Sequence, residues 1–390
     1  MKRHELLSEL AIQTPSRIVF LIIDGLGGIP GPDGKTELEA AQTPNLDLLA
    51  GQSLCGLTDP VSPGITPGSG PSHLALFGYD PLEFQVGRGV LEALGIEFPL
   101  KATDVAIRAN FCTVDEKGVL TDRRAGRLGT VQASRLCQML RDVRLVGAEA
   151  LIEPVKEHRF VVIFRGDGLA SDVADTDPQR TGVPPLEPRA LTQGAERTAN
   201  LARDFIRQAR TILEGQPANM VMLRGFSRYP SIPSLPSLYK LHPAAIALYP
   251  MYRGLARLVG MDVLAAGGSL DDEVETLRAN WGSHDFFYFH VKDLDRTGED
   301  GDFQGHELAV ENYCGLDWSP PLDHGGQPLE HEGEEEDQEK PAHEVGERDG
   351  EDVDDVAGHP DPRLEGGAGL DGVEPEIEVH GQKAAQGGAP

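Results

Sequence analysis

The chain has 390 residues and a formal net charge of −28, and 39% of its residues are hydrophobic. This length is enough for two domains, or for one domain with a large insert, and the hydrophobic fraction allows a sizeable core. The excess of acidic residues argues against nucleic acid as a partner, and no apolar run in the sequence reaches the length of a membrane span.

The first residues and the cysteines predict the compartment. Residues 1–10 are polar and lack the apolar segment of an export signal. The four cysteines are widely spaced and form no paired motif. We therefore expect no disulfides, and a reducing cytoplasm fits the sequence.

An apolar run, Ile-Val-Phe-Leu-Ile-Ile at residues 18–23, ends at Asp24 and a glycine. Such a run, rich in β-branched residues, predicts a strand buried on both faces of a parallel sheet. An acid at its carboxyl end lies where open α/β sheets place ligands. An isolated aspartate of this kind more often caps a turn, but residues 285–295 contain a second apolar strand that runs into acids. Two such strands can bring their carboxylates together over one ion.

The next feature is a helix predicted at residues 43–50, followed by a Gly/Pro-rich loop that leads to Ser69. A serine at a loop-to-helix junction meets free backbone N–H groups and the positive end of the helix. That environment suits a nucleophile that carries a phosphoryl group. On this stretch alone, however, an ordinary N-cap role for Ser69 or Ser72 is the better interpretation.

Residues 82–235 predict an inserted α/β domain, with strands at 104–114, 160–164 and 219–223 and helices at 131–145 and 195–213. Arg123, Arg124 and Arg127 are crowded around one glycine. Arginine binds phosphate and carboxylate in bidentate fashion, so this cluster favours an anion, with a solvated basic turn as the alternative.

We predict a core domain built from two separate segments of the chain, residues 1–81 and residues 236–312. The second part contains strands at 244–248 and 286–291, a helix at 272–281 and the start of another at 303. A Pro/Ser-rich stretch at 227–236 predicts the hinge between the insert and this part of the core.

Several short motifs occur in a fixed order and carry a resemblance to a known family. They are Asp-Gly at 24–25, Thr-Pro-Asn-Leu-Asp at 43–47, Pro-Gly-Ser-Gly-Pro-Ser-His at 67–73, Gly-Arg-Gly-Val-Leu-Glu-Ala-Leu-Gly at 87–95, Asp-Arg-Arg-Ala-Gly-Arg at 122–127, Arg-Gly-Asp-Gly at 165–168, Ala-Leu-Tyr-Pro at 247–250 and Lys-Asp-Leu-Asp at 292–295. Over about residues 16–310 the chain resembles the archaeal-type 2,3-bisphosphoglycerate-independent phosphoglycerate mutases of the alkaline phosphatase superfamily.

The resemblance implies a fold and a reaction. The fold is an alkaline-phosphatase-like, doubly wound α/β sheet core with a smaller inserted α/β domain. The reaction moves the phosphate of phosphoglycerate, a small-molecule substrate of glycolysis, between its 2- and 3-oxygens through a phosphoserine. The implied cofactors are two divalent metal ions, manganese or magnesium, without bisphosphoglycerate. Metal coordination would lower the pKa of the serine hydroxyl, and a pair of ions would stabilise the attacking and the departing oxygen.

The resemblance also assigns roles to residues. Ser69 would accept the phosphoryl group and bind metal, and Asp24 would be a ligand shared by both ions. Asp295 and Glu299 would form a second ligand set, although many relatives carry histidine at the position of Glu299. The implied substrate-binding residues are Arg123, Arg124, Arg127, Arg165, Asp167 and Arg253. The family carries lysine at the last position, and arginine keeps the charge but changes the geometry. His73 can share a helix face with the serine, but packing is its more common role.

The resemblance stops after about residue 311. The relatives continue with a strand and three more metal ligands, and none of these is recognisable here. Residues 319–390 instead contain 21 acidic and 4 basic residues. This composition predicts a disordered acidic tail over about residues 313–390, which is either a shifted reading frame or a genuine interaction segment.

Three functional hypotheses follow. The first is a phosphoglycerate mutase, impaired if this C-terminus is native. The second is another metal-dependent phosphatase of the superfamily, which would release free phosphate where a mutase does not. The third is a non-catalytic remnant or binding protein that fails to bind manganese. The arginine cluster in the insert favours the mutase.

Overall fold

The computed structural model describes residues 2–65 and 68–314, except for the side chains at positions 293, 296, 299 and 300. The tail predicted for residues 313–390 therefore lies outside the described residues, apart from its first two, which end a helix. Among the described helices, none is both long and apolar enough to cross a membrane.

The strands of the described chain are β1 (Ile18–Ile23), β2 (Val105–Val114), β3 (Leu120–Asp122), β4 (Glu149–Lys156), β5 (Arg159–Arg165), β6 (Met220–Ser227), β7 (Pro243–Ala247), β8 (Asp262–Val263) and β9 (Phe286–Val291). The helices are α1 (Arg3–Leu10), α2 (Glu37–Ala40), α3 (Pro44–Gly51), α4 (Ser69–Leu76), α5 (Arg88–Gly95), α6 (Thr130–Leu140), α7 (Glu196–Ile212), α8 (Leu235–Tyr239), α9 (Pro250–Leu258), α10 (Leu270–Ala279), α11 (Asp293–Asp300) and α12 (Phe303–Cys314). The strands and helices predicted from the sequence appear close to their expected positions, but the helix predicted at 131–145 ends at Leu140, and Leu145 forms a β-bridge with Ala148.

Four strands form a parallel sheet in the order β1-β9-β7-β8. Alternate residues of the two central strands face opposite layers of helices. Tyr288 and Ala245 pack with α4 and α9 on one face, whereas Phe287 and Phe289 pack with α10 and α12 on the other. A parallel sheet covered on both faces explains the unbroken apolar runs of these strands. The predicted parallel α/β sheet is confirmed.

The burial predicted for β1 is wrong at its start. Ile18 is 48% exposed and Val19 is 40% exposed. In the described part of the chain β1 pairs only with β9, so it is an edge strand whose other side has no described neighbour. The apolar run alone could not reveal this, because burial depends on what packs beside the strand.

The remaining strands form an antiparallel sheet in the order β3-β2-β5-β4, and β6 also pairs with β2. Helices α6 and α7 pack on one face of this sheet, and α5 packs on the other through Val90 and Ala93. The sheet lies within the predicted insert at residues 82–235. Whether this segment is a separate domain stays a prediction.

Helix α5 joins the two sheets by close packing. A Cβ atom at Gly89 would overlap the carbonyl oxygen of Ala106 in β2, so the helix backbone lies directly on the antiparallel sheet. A Cβ at Gly254 of α9 would overlap the carbonyl oxygen of Leu91 in α5. Arg257 of α9 also donates to the Leu94 carbonyl at 3.0 Å, near the end of α5. These contacts fix the position of one sheet relative to the other.

We expect Gly254→Ala to lower the free energy of unfolding by about 1–3 kcal/mol, because the added methyl group forces the two helix backbones apart. Urea unfolding followed by circular dichroism measures the change. Gly51→Ala is the matched control, since no atom lies within 4 Å of the added Cβ, and its stability should be unchanged or slightly raised. Equal stability of the two variants would contradict the packing described for α5.

Candidate functional site

The parallel pairing of β1 and β9 brings Asp24 and Lys292 to the same edge of the sheet. Ile23 and Val291, the last residues of the two strands, are in register. The backbone N–H of Asp24 donates to the carbonyl of Val291 at 2.9 Å and extends the ladder by one bond. The next side chains therefore leave the sheet side by side, as expected for the carboxyl ends of adjacent parallel strands.

Lys292 connects the two acids that the sequence predicts as metal ligands. Its Nζ donates to Oδ2 of Asp24 at 2.7 Å and to Oδ2 of Asp295 at 2.6 Å. Burial would raise the pKa of Asp24, but the hydrogen bond and the charge of Lys292 outweigh it and hold this pKa below its ordinary value. Burial likewise would lower the pKa of Lys292, but its surroundings, including both carboxylates, raise it.

Tyr252 links Ser69 to this group. Its hydroxyl donates to Oδ2 of Asp24 at 2.8 Å. Ser69, the first residue of α4, interacts through its side chain with the same hydroxyl. Tyr252 is buried, and burial, together with the charge of Asp24, raises its pKa. The structure thus brings the predicted nucleophile and two predicted acids into one connected cluster.

Two buried histidines lie beside Asp24. Nε2 of His290 is 3.8 Å from Oδ2 of Asp24, and burial, reinforced by His73, lowers the pKa of His290 to about 3. Nδ1 of His73 lies 2.8 Å from the carbonyl of Ser69. Because a carbonyl only accepts, this nitrogen carries the proton and Nε2 keeps a lone pair. Within the described residues, Nε2 of each histidine is buried without a hydrogen-bond partner.

The chemistry of these side chains fits a divalent ion. The carboxylates of Asp24 and Asp295 and the hydroxyl of Ser69 are hard oxygen ligands, and unpartnered imidazole nitrogens are further donors for a metal such as manganese. Lys292 lies between the two carboxylates, so an ion shared by them would have to displace its ammonium group. The side chain of Glu299, predicted to belong to this set, lies outside the described residues.

A cavity of about 170 Å³ opens beside the cluster, between the two sheets. His290, Lys292 and Asp295 line it from the parallel sheet, with Leu248 and Tyr249 after β7. Four cationic side chains line it from the antiparallel sheet, namely Arg124, Arg127, Lys156 and Arg159. The acids on its wall are Glu157, Glu273 and Asp295. Basic residues therefore outnumber acidic ones, which suits an anionic ligand.

Two of the arginines reach the cavity from a tight turn. The carboxylate of Asp122 accepts from the backbone N–H groups of Arg124, at 2.7 Å, and of Gly126, at 2.6 Å. Ala125 and Arg127 both have left-handed backbones, with φ of 46° and 52°. Such conformations are uncommon outside glycine and cluster at binding sites.

The other predicted substrate-binding residues do not line this cavity. Arg123 donates to both carboxylate oxygens of buried Asp177, at 3.0 and 2.7 Å. Arg165 makes the same bidentate contact with Asp104, and Arg253 pairs with Glu97 at 3.2 Å. Asp167 is exposed. For these four residues, the substrate contact stays a prediction.

Sequence reasoning gave no role to Lys292, Tyr252, Lys156 or Arg159. The signal for the lysine was present, because it directly follows a buried strand whose neighbour ends in Asp24. The rule that identified the acids applies equally to a base at that edge. The signals for the other three were absent, since their positions depend on contacts between distant segments.

Comparison of sequences identifies the relatives of this chain. The family profile of the 2,3-bisphosphoglycerate-independent phosphoglycerate mutases matches residues 50–219. A probable enzyme of this name from Thermus thermophilus is 51% identical over 317 residues, covering 80% of this chain and 78% of that protein. Its counterpart from Aquifex aeolicus is 45% identical over 320 residues, covering 79% of each chain.

Solved structures agree with these relatives. A cofactor-independent phosphoglycerate mutase from Thermoplasma acidophilum is 31% identical and superposes with a TM-score of 0.50, covering 77% of this chain and 84% of that one. A protein from Pyrococcus horikoshii is 25% identical and superposes with a TM-score of 0.63, covering 77% and 76%.

We expect Lys292→Met to raise the pKa of Asp24 above its ordinary value, because burial remains when the ammonium group is lost. In the unaltered protein the lowered pKa stabilises the fold above the unfolded pKa of about 3.9, and this contribution disappears as pH falls through the folded pKa. In the variant, ionised Asp24 should destabilise the fold rather than stabilise it, so the free energy of unfolding at neutral pH should fall.

Carboxylate ¹³C titration of chelator-treated protein measures this pKa. The matched control is Lys117→Met. Lys117 is exposed and distant in sequence from Asp24 and Lys292, so its replacement should leave the pKa of Asp24 unchanged. An unchanged pKa in Lys292→Met as well would show that the ammonium group does not set the charge of the site.

Proposed function

Because this chain belongs to the 2,3-bisphosphoglycerate-independent phosphoglycerate mutase family, we propose that it interconverts 2- and 3-phosphoglycerate in glycolysis at the site around Lys292. It is thus an isomerase. The observation that carries this proposal is a cavity with a cationic wall beside the cluster of Ser69, Asp24 and Asp295. Asp295 and Lys292 belong to both the cluster and the cavity lining, whereas Ser69 and Asp24 are connected to them through Tyr252 and Lys292.

We propose Ser69 as the phosphoryl acceptor. Its oxygen attacks phosphorus while the bond from phosphorus to the substrate oxygen breaks, and a proton passes from the serine to the glycerate so formed. The second glycerate hydroxyl then attacks the same phosphorus, and the serine oxygen leaves and regains a proton. The position of Ser69 at the start of α4 supports this role, since the helix N-terminus favours the negative phosphoryl group.

The side chains around Ser69 orient it and balance charge. Tyr252 donates to Asp24, and its hydroxyl also interacts with the side chain of Ser69, so it connects the serine to the acid. Lys292 offsets the charge of the two carboxylates close to the transferring group. Positioning and charge stabilisation are the main requirements of phosphoryl transfer.

The cationic wall supports a mutase over a phosphatase. A hydrolase can release its dephosphorylated product after the first transfer, whereas a mutase must retain glycerate until the second. Glycerate keeps a carboxylate after the phosphoryl group has left. Arg124 and Arg127 can bind that carboxylate in bidentate fashion, and Lys156 and Arg159 add charge beside them.

We further propose two divalent ions, manganese or magnesium, as cofactors, without bisphosphoglycerate. Asp24, Ser69 and Asp295 would hold an ion, and Glu299 would contribute to the second set. Such ions lower the pKa of a serine hydroxyl and neutralise charge on a transferring phosphoryl group. The three further ligands expected from the resemblance would follow residue 311, where the sequence does not carry them.

An enolase-coupled assay of the full chain tests the function. We expect turnover of 3-phosphoglycerate that stops with chelator, returns with manganese, needs no bisphosphoglycerate and releases no stoichiometric phosphate. Ser69→Ala should abolish turnover and the phosphorylated enzyme detected by mass spectrometry. Ser72→Ala, on the same helix, is the matched control. Turnover by Ser69→Ala would exclude the proposed acceptor, and phosphate release at the rate of turnover would favour a phosphatase.

We expect Arg127→Gln and Arg124→Gln each to lower kcat/KM for 3-phosphoglycerate by about 10- to 100-fold. A charge-assisted hydrogen bond contributes about 1.5–3 kcal/mol, and each 1.4 kcal/mol is a factor of ten. Arg135→Gln is the matched control, because this exposed arginine of α6 is not part of the cavity wall. Equal kinetics for all three variants would remove the arginine turn from the substrate site.

A further inference from the structure

A second group of metal-binding side chains lies at the opposite edge of the parallel sheet. His242 directly precedes β7, Asp262 is the first residue of β8, and His284 lies two residues before β9. Because these strands are parallel, all three residues meet at the amino edge. A strand of six residues spans roughly 20 Å, so this cluster is well separated from Asp24 and Lys292 at the carboxyl edge.

The ligand atoms of the cluster all lie within 4.8 Å of one another, and the two distances to Asp262 match those between ligands of a tetrahedral ion. Nε2 of His242 is 3.5 Å from Oδ2 of Asp262, and Nε2 of His284 is 3.4 Å from the same atom. Zinc bonds to nitrogen and oxygen of about 2.0–2.2 Å at a tetrahedral angle separate two ligands by about 3.4 Å. The contact of His284 is also a long hydrogen bond to Asp262, and both distances exceed those of ordinary N–H···O hydrogen bonds.

Neighbouring contacts hold the two imidazoles in position. Nδ1 of His284 lies 2.9 Å from the hydroxyl of Ser283, which can accept a hydrogen bond from Nδ1–H, so that Nε2 keeps its lone pair for an ion. The backbone N–H of His242 donates to Asp285 at 2.6 Å, and the two rings stack with centroids 4.7 Å apart. The side chain of His284 is 8% exposed, whereas those of His242 and Asp262 are 64% exposed, so an ion can enter from solvent.

We propose that His242, Asp262 and His284 bind one zinc-class divalent ion, with water as the fourth ligand, at a structural site separate from the mutase centre. Two imidazoles and one carboxylate are ligands that zinc accepts. The ion would stabilise a weak edge of the sheet. β8 has only two residues, paired with β7 through Ala244 and Ala245, and an ion would tie it to the starts of β7 and β9.

Zinc binding by the full chain tests the site. A competing chromophoric chelator gives the number of zinc ions bound, and we expect His242→Ala and Asp262→Asn each to bind one equivalent fewer than the unaltered protein. Both residues are exposed, so the variants should fold. His4→Ala is the matched control for a histidine elsewhere and should bind as the unaltered protein does. Asp24→Asn should retain the equivalent that His242→Ala loses.

Two further measurements do not depend on catalysis by the zinc-loaded enzyme. Added zinc should raise the melting temperature of the unaltered protein more than that of His242→Ala, because a ligand that binds only the folded state stabilises it. Cobalt should give tetrahedral absorption bands that His242→Ala lacks. Turnover with saturating manganese should be the same in both. Equal zinc stoichiometry in the unaltered protein, His242→Ala and Asp262→Asn would overturn the proposal, whatever the mutase assay gives.

Discussion

The site depends on one constraint, the neutralisation of two acids that parallel strand pairing forces to one sheet edge. Asp24 and Asp295 would repel each other in a half-buried setting without a cation. Lys292, the residue directly after β9, is that cation. The strand pairing that brings the two carboxylates together therefore also brings the ammonium group that compensates their negative charge. An ion bound by both acids would have to displace this ammonium group. The proposed metal binding and the position of Lys292 would therefore be coupled by geometry.

Among the residues that the structure describes, β1 is an edge strand, and this position affects Asp24. A carboxylate on a fully enclosed strand would be cut off from solvent, whereas the side chain of Asp24 is 27% exposed. Burial still acts strongly enough on its pKa to require Lys292 and Tyr252 as partners. The exposure of Ile18 and Val19 belongs to the same edge. An exposed strand edge is prone to pair with other chains, so access to the site carries a structural cost.

The sequence predicted those parts of the fold and site that depend on local pattern. The apolar runs located β9 and β7, and the position of acids after strands located Asp24 and Asp295. The sequence could not predict contacts between segments that are far apart along the chain. Neither the exposure of β1 nor the link through Tyr252 follows from spacing. Of three clustered arginines, Arg123 pairs with Asp177 while Arg124 and Arg127 face the cavity. This difference depends on the left-handed turn and on the carboxylate of Asp177, which lies far from Arg123 in the sequence. Neither can be read from the spacing of the arginines.

The division of labour between the two sheets explains why their relative position matters. Helix α4, which packs on the parallel sheet, carries Ser69, the proposed nucleophile, and the carboxyl edge of that sheet carries Asp24 and Lys292. The segments of the antiparallel sheet contribute most of the cationic wall. In the proposed mechanism neither half alone would distinguish transfer from hydrolysis, because retention of glycerate would require both halves beside one cavity. Misplacement of reacting groups by about 1 Å can reduce rates about a hundredfold. The glycines at the α5 contacts remove side chains where backbones touch, and a rigid contact there keeps the two halves in register. If the proposed mechanism holds, specificity for isomerisation depends on packing well away from the reacting atoms.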